Sequence, residues 1–152
     1  MGSTRNTLPA EIVKGIIGHI GLNARVTSWE DEEEIHVDVW GDDVALLIGK
    51  GGRTLEALQE LVAAMVAGRT GERRRILVDV EKYRERKRRR LVESGREAAE
   101  KCVRMGKPVS MEPMSAAERK VVHDALKDDG RVVTRSSGEG AERHVVIYPA
   151  AD

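Results

Sequence analysis

Residues 48–53, Ile48-Gly49-Lys50-Gly51-Gly52-Arg53, place three glycines and two cations in six positions between apolar stretches. Glycine tolerates left-handed dihedrals and lets a ligand's backbone come close. The N–H groups opening a helix at about Gly52 can face an anion, with the helix dipole adding to the attraction. Lys50 and Arg53 supply charge beside them, so the chemistry is phosphate contact. Two familiar phosphate loops are excluded by spacing. A Walker loop needs G-x-x-x-x-G-K-[ST], but here the lysine precedes Gly51 and no hydroxyl follows it; a dinucleotide fingerprint needs G-x-G-x-x-G, but its last glycine is Thr54 and a helix precedes the loop. A turn using glycine for geometry alone is the competing reading. Arg119 and His123 are a second constellation: four apart, they share one face of a helix. Spacing alone leaves open whether His123 binds a ligand or covers a core edge. A third is the run Lys82–Arg90, with seven basic residues among nine (82, 84, 86, 87, 88, 89 and 90). Its cations point round the whole circumference of a helix, which favours a polyanionic partner over a merely solvated connector.

These groups need elements to hold them. Leu8, Ile12, Ile16, Ile17 and Ile20 recur at helical spacing before Gly21, which predicts a helix over 8–20. Ala24–Trp29 and Glu34–Trp40 read as strands about an acidic turn, the second alternating Ile35, Val37 and Val39 with His36, Asp38 and Trp40. A short helix through Val44, Leu47 and Ile48 precedes the glycines. A longer one follows, with Leu55, Leu58, Leu61, Val62 and Met65 on one face and Gly68 as its end, and Ile76–Val80 is a third strand. From Glu81 to Met105 a long helix is expected, with Tyr83, Leu91, Ala98, Cys102 and Met105 as its apolar stripe and Glu97–Lys101 and Glu100–Arg104 as i,i+4 pairs. Gly106 and Pro108 stop it. Val109–Glu112 is a short strand, and Ser115-Ala116-Ala117-Glu118 spells a capping box opening a helix to about Lys127. Arg131–Arg135 and Arg143–Tyr148 form a hairpin around the loop Ser136–Glu142. The fold class is α/β (α+β) in two small domains: α-β-β-α-α-β over 8–81 and α-β-α-β-β over 82–149, with the long basic helix 81–105 as shared connector.

A helix-flanked G-x-x-G loop fits the KH domain, whose loop clamps the backbone of about four nucleotides. In this setting the chain resembles the Jag family of bacterial proteins, which join a type II KH domain to an Arg-x-x-x-His domain. The likeness runs from about Gly21 to Tyr148. It is strongest at IGKGGRTLEALQEL (48–61), ILVDVEKYRER (76–86) and PVSMEPMSAAERKVVHDAL (108–126). It implies binding of single-stranded RNA without catalysis, as an RNA chaperone or post-transcriptional regulator linked to bacterial cell-envelope growth or division. It also implies a cytoplasmic location and a small KH-only protein as partner. Carried over, Ile48, Gly49, Lys50, Gly51, Gly52 and Arg53 would hold RNA in the first domain. In the second, Arg119 would contact a phosphate and His123 would hydrogen-bond or stack through either ring nitrogen, with Lys120 beside them. Arg86, Arg88, Arg89 and Arg90 extend the basic track. The longer members carry an extra N-terminal domain and linker associated with the membrane side; only the helix at 8–20 precedes the first strand here, so no membrane insertion is expected.

Composition agrees, once divided. The chain has 152 residues with 26 Lys+Arg against 26 Asp+Glu. Residues 1–48 carry net −6, residues 49–107 net +8 and residues 108–152 net −2, so a basic block lies between acidic flanks. No apolar stretch approaches the roughly 18–20 residues of a membrane span. The N-terminus lacks the regions of a signal peptide, and the Met1-Gly2 start has Asn6 where acylation needs Ser or Thr. Cys102 is the only cysteine and is expected to be buried, which excludes an internal disulfide framework and a Cys-based zinc cluster. His19, His36 and His144 share no metal-ligand spacing, and no cofactor or metal is expected. Trp29 and Trp40 either pack the sheet or lie on its outer face. Two other functions fit the same residues: a single-stranded DNA binder, and a protein-interaction scaffold whose basic helix meets an acidic surface.

Overall fold

The computed structural model describes residues 7–151; residues 1–6, including the Met1-Gly2 start and Asn6, and residue 152 lie outside the described residues. The chain divides into two compact units, one through Arg84 and one from Glu85, each with its own three-stranded sheet.

The first unit begins with helix α1 (Leu8–Ile20), closed by Gly21, and the strands β1 (Ala24–Glu30) and β2 (Ile35–Gly41). Two 3-10 turns, Val44–Leu47 and Lys50–Gly52, lead into α2 (Arg53–Thr70), and β3 (Ile76–Val80) completes the sheet. Its order is β1-β2-β3, with β1 antiparallel and β3 parallel to β2. The period-two pattern is obeyed: Val26, Ile35, Val37, Val39, Ile76, Val78 and Val80 face the helices and are buried against Ile12, Val13, Ile17, Leu55, Leu58, Val62 and Val66. Gly68 does not end α2, as its pattern implied. It is exposed on a helix that continues to Thr70, and Gly71 makes the stop, its N–H bonding the Ala67 carbonyl at 2.9 Å. Both tryptophans lie on the sheet's outer face. Trp29 stacks on His36 opposite it, ring centroids 3.6 Å apart and planes nearly parallel.

In the second unit, helix α3 (Tyr83–Met105) supplies most of one layer. It starts later than the composition implied because Glu81 and Lys82 adopt left-handed backbone (φ 48° and 54°). The Glu81 N–H instead extends the ladder to the Val39 carbonyl at 2.9 Å. β4 (Val109–Ser110) is shorter than expected, but Met111 and Met114 still donate to the Val145 and Arg143 carbonyls. Helix α4 (Ala116–Leu126), β5 (Val132–Ser137) and β6 (His144–Pro149) complete the unit, in the sheet order β4-β6-β5 with antiparallel pairing. The core is Ala99, Cys102, Val122, Leu126, Val132, Val145 and Ile147. The buried row of α3 is Gly95, Ala99 and Cys102, whereas Met105, expected on the stripe, is 51% exposed. Gly95 lets the helices approach: a methyl there would sit 3.3 Å from Val122 Cγ1. Glu100 does not pair within α3 but accepts from Arg131 at 2.6 Å. Among the described residues, no helix is long and apolar enough to cross a membrane.

Candidate nucleic-acid interface

The glycine loop is shaped by what its Cα atoms touch. Gly49 (φ 70°) leaves no room for a side chain, since a Cβ would fall 2.1 Å from Thr54 Oγ1. Gly52 (φ 87°) is buried under Tyr83, whose Cε1 would lie 2.9 Å from a Cβ. Gly51 (φ 64°) is exposed, and a Cβ there would meet nothing within 4 Å. The loop therefore anchors its two outer glycines and presents Lys50 and Gly51. Lys50 and Arg53 are exposed and form no ion pair among the described residues. Ile48 is half-buried against the core, and its carbonyl accepts from the Leu55 N–H at 3.1 Å.

That bond corrects one expectation. The N–H groups opening α2 do not all face outward: Gly52 donates to Gly49, Arg53 to Lys50 and Leu55 to Ile48. The loop's own carbonyls use these donors, so its attraction for an anion rests mainly on the Lys50 and Arg53 side chains.

In the second unit the capping box forms as the sequence implied. The Glu118 N–H donates to Ser115 Oγ at 3.3 Å and the Ser115 N–H to Glu118 Oε2 at 2.7 Å. Partial burial pushes the Glu118 carboxyl up, but the Lys87 ammonium at 2.5 Å and the Ser115 N–H outweigh it and hold the carboxyl below its ordinary range. The cap fixes the first turn of α4, from which Arg119 and His123 project. The Arg119 Nη1 donates to the Met114 carbonyl at 3.2 Å, while its Nε is buried with no hydrogen-bonding partner among the described residues. His123 lies between two hydroxyls of β5, Nδ1 at 2.7 Å from Thr134 Oγ1 and Nε2 at 3.1 Å from Ser136 Oγ. Both ring nitrogens are thus engaged, contrary to the expectation that either is available. A ligand at His123 would have to meet its ring face or displace one of the hydroxyls. Lys120 is exposed and paired with Asp124 at 2.8 Å.

The basic run is less uniform than its composition. The Arg84 guanidinium donates to the Val78 carbonyl and Gln59 Oε1, which makes it part of the first unit's fold. Lys87 is bound to Glu118, and Arg89 to Glu85 at 2.9 Å. Arg86 is exposed and has intramolecular interactions of its own. Arg88 and Arg90 are exposed and form no hydrogen bond or ion pair among the described residues. Tyr83, Thr134 and Ser136 escaped the sequence reading because only the tertiary fold sets them against Gly52 and His123. Among the described residues no group of His, Cys, Asp and Glu could hold a metal ion.

Comparison with known proteins gives the same two parts in the same order. Residues 9–80 match the family model for the KhpA/KhpB KH domain, and residues 89–149 that for the Arg-x-x-x-His domain. The RNA-binding protein KhpB of Clostridium symbiosum is 44% identical over 118 residues, 78% of this chain and 53% of that one. The protein of the same name from Bacillus subtilis is 35% identical over 124 residues, 80% of this chain and 60% of that one. That from Streptococcus pneumoniae is 24% identical over 135 residues, 89% of this chain and 41% of that one. The chain thus spans between about half and three fifths of the length of the first two relatives. Carrying both domains in this order, it belongs to the KhpB (Jag) family of RNA-binding proteins with KH and Arg-x-x-x-His domains.

Proposed function

We propose that the chain binds single-stranded RNA in the cytoplasm, as an RNA chaperone or post-transcriptional regulator, with the 49–52 loop as backbone clamp and the second unit lengthening the footprint. The observation that carries this reading is the exposure of Lys50 and Gly51 between two glycines whose positions packing dictates. A phosphate approaching there meets charge and no obstructing side chain. Arg119, only partly buried and held through Nη1 by the Met114 carbonyl, supports a second contact, because the rest of its guanidinium fork can turn to a phosphate. The names of the relatives support RNA as ligand. Because the matched KH description covers KhpA as well as KhpB, a small KH-only protein is the partner we infer.

Lys50→Asp with Gly51→Asp tests the clamp. Aspartate tolerates left-handed backbone better than most residues, so the loop keeps its shape while two carboxylates face the phosphates. Gel-shift affinity for single-stranded RNA should fall by at least about tenfold, the effect of losing even one ~1.4 kcal/mol contact, measured at a temperature where a thermal melt shows the variant still folded. An unchanged affinity would overturn the reading, and competition with DNA of the same sequence decides between the two sugars. A scaffold reading has one observation in its favour: the exposed Trp29–His36 stack lies beside the carboxylates of Asp31 and Asp38. Pull-down contacts that survive nuclease would support it.

A further inference from the structure

The second sheet has an open face that the Arg119–His123 site does not use. We propose that a single strand held at Arg119 and His123 continues around the edge of β5 onto this face, where a base stacks on the pair Arg135 and Tyr148. The inference rests on the single-strand-binding reading above.

The route follows from strand order and pleat. β5 is an edge strand of the β4-β6-β5 sheet. Along it, Val132, Thr134 and Ser136 turn toward the helices, and Val133, Arg135 and Ser137 turn away. His123 holds Thr134 and Ser136 from the inner side, and Arg135 lies between those two positions on the outer side. The two faces are therefore separated at this point only by the edge strand itself. A flexible polyanion reaching His123 needs to pass one backbone to meet Arg135.

The chemistry of the outer face suits that ligand. In the β5–β6 register Val133 faces Tyr148, Arg135 faces Val146 and Ser137 faces His144, so no carboxylate stands among these positions. The Arg135 guanidinium lies 5.8 Å from the centroid of the Tyr148 ring, within cation–π range. It is exposed and forms no ion pair among the described residues. Val133, 46% exposed beside the ring, and the buried Val146 give the pair an apolar floor. Unpaired bases stack on aromatic rings and on guanidinium planes, and a cation there also answers the phosphate between them. The open face of the first sheet is unlike it, with Asp38 and Asp79 side by side in register. That face would repel the same strand.

The test uses the full chain with two labelled oligoribonucleotides. One is of about four nucleotides, the span of a KH clamp, and one of about sixteen, the upper end of single-strand site sizes. Arg135→Ala and Tyr148→Leu should each weaken the long strand about five- to a hundredfold, the range for loss of one stacked base, and leave the short strand unchanged. Tyr148→Phe keeps the ring and should bind like wild type. Arg135 is exposed, so its replacement leaves the sheet intact even where Tyr148→Leu disturbs it. A 2-aminopurine in the long strand should be quenched by wild type and less quenched by Tyr148→Leu. If wild type binds the long strand, Lys50→Asp weakens it and Arg135→Ala does not, the sheet-face site is overturned while the RNA-binding reading stands. A wild-type chain that binds no single strand overturns the reading itself.

Discussion

Gly51 and Gly52 adjoin in sequence and share left-handed backbone, but they differ in what a methyl group would meet. At Gly52 it would strike the Tyr83 ring; at Gly51 it would enter open space. Gly51→Ala should cost only the backbone term of about 1–2 kcal/mol. Gly52→Ala adds overpacking of about 1–3 kcal/mol, and urea unfolding followed by tryptophan fluorescence, which reports the first unit alone, should rank them in that order. Equal losses would mean that Tyr83 moves aside freely. The motif was legible because glycine types and spacing are local. The Tyr83 contact was not, since nothing in the sequence sets a ring after β3 against a loop before α2. The acidic turn has a residue-scale consequence of its own. Asp31 accepts from the Glu34 and Glu33 N–H groups, each at 2.8 Å, and from His36, and these hold its carboxyl at about 2, below the ordinary ~3.9. Because its pKa is lowered by folding, its charge stabilises the fold above about pH 4, and that contribution is lost as pH falls toward 2. The stability gap between wild type and Asp31→Asn should be constant at neutral pH and shrink across that acid window; a gap that stays flat counts against it.

Elements with local signals were read well, and those decided by pairing were read short or long. The Ser115–Glu118 box is a four-residue signal and forms as written. Losing the Ser115 hydroxyl should cost about 1 kcal/mol, the usual effect of removing a cap. The buried Cys102, whose thiol burial pushes up, supplies the readout, because its reaction with a thiol reagent requires the second unit to open. Ser115→Ala should speed that reaction about fivefold by the same free energy when opening is in equilibrium. An unchanged rate would place the cap outside the cooperative core. The end of α2 shows the opposite case, for an exposed glycine in mid-helix and a terminating one look alike in sequence. β4 was overdrawn for a related reason: Met111 and Met114 keep hydrogen bonds to β6 without strand geometry. His123 was visible as a face-sharing partner of Arg119, yet its hydroxyl neighbours come from a strand that only folding brings beside it.

For the whole molecule, a formal charge of zero conceals a +8 block between −6 and −2 flanks, and the structure divides that block further. Counting cations in the sequence could not separate those that hold the fold from those that face solvent. Arg84 is fastened to Val78 and Gln59, and Lys87 to Glu118, whereas Arg88 and Arg90 are exposed without such partners among the described residues. The two kinds should behave differently under salt. Each phosphate neutralised on a single strand contributes about 0.7 to the slope of log affinity against log salt. If Arg88 and Arg90 each meet one phosphate, replacing both by alanine should lower that slope by about 1.4, with the denaturation midpoint unchanged. Arg84→Ala should instead lower the stability of the first unit, because the Val78 carbonyl and Gln59 Oε1 each lose the bond that Arg84 donates, and should leave the slope of the folded fraction near wild type. Fluorescence anisotropy of single-stranded RNA across a salt series, beside a urea melt of each variant, separates the two effects. A slope untouched by the double replacement would mean that the exposed arginines serve solubility, and that the charge drawing the strand lies at Lys50 and Arg53.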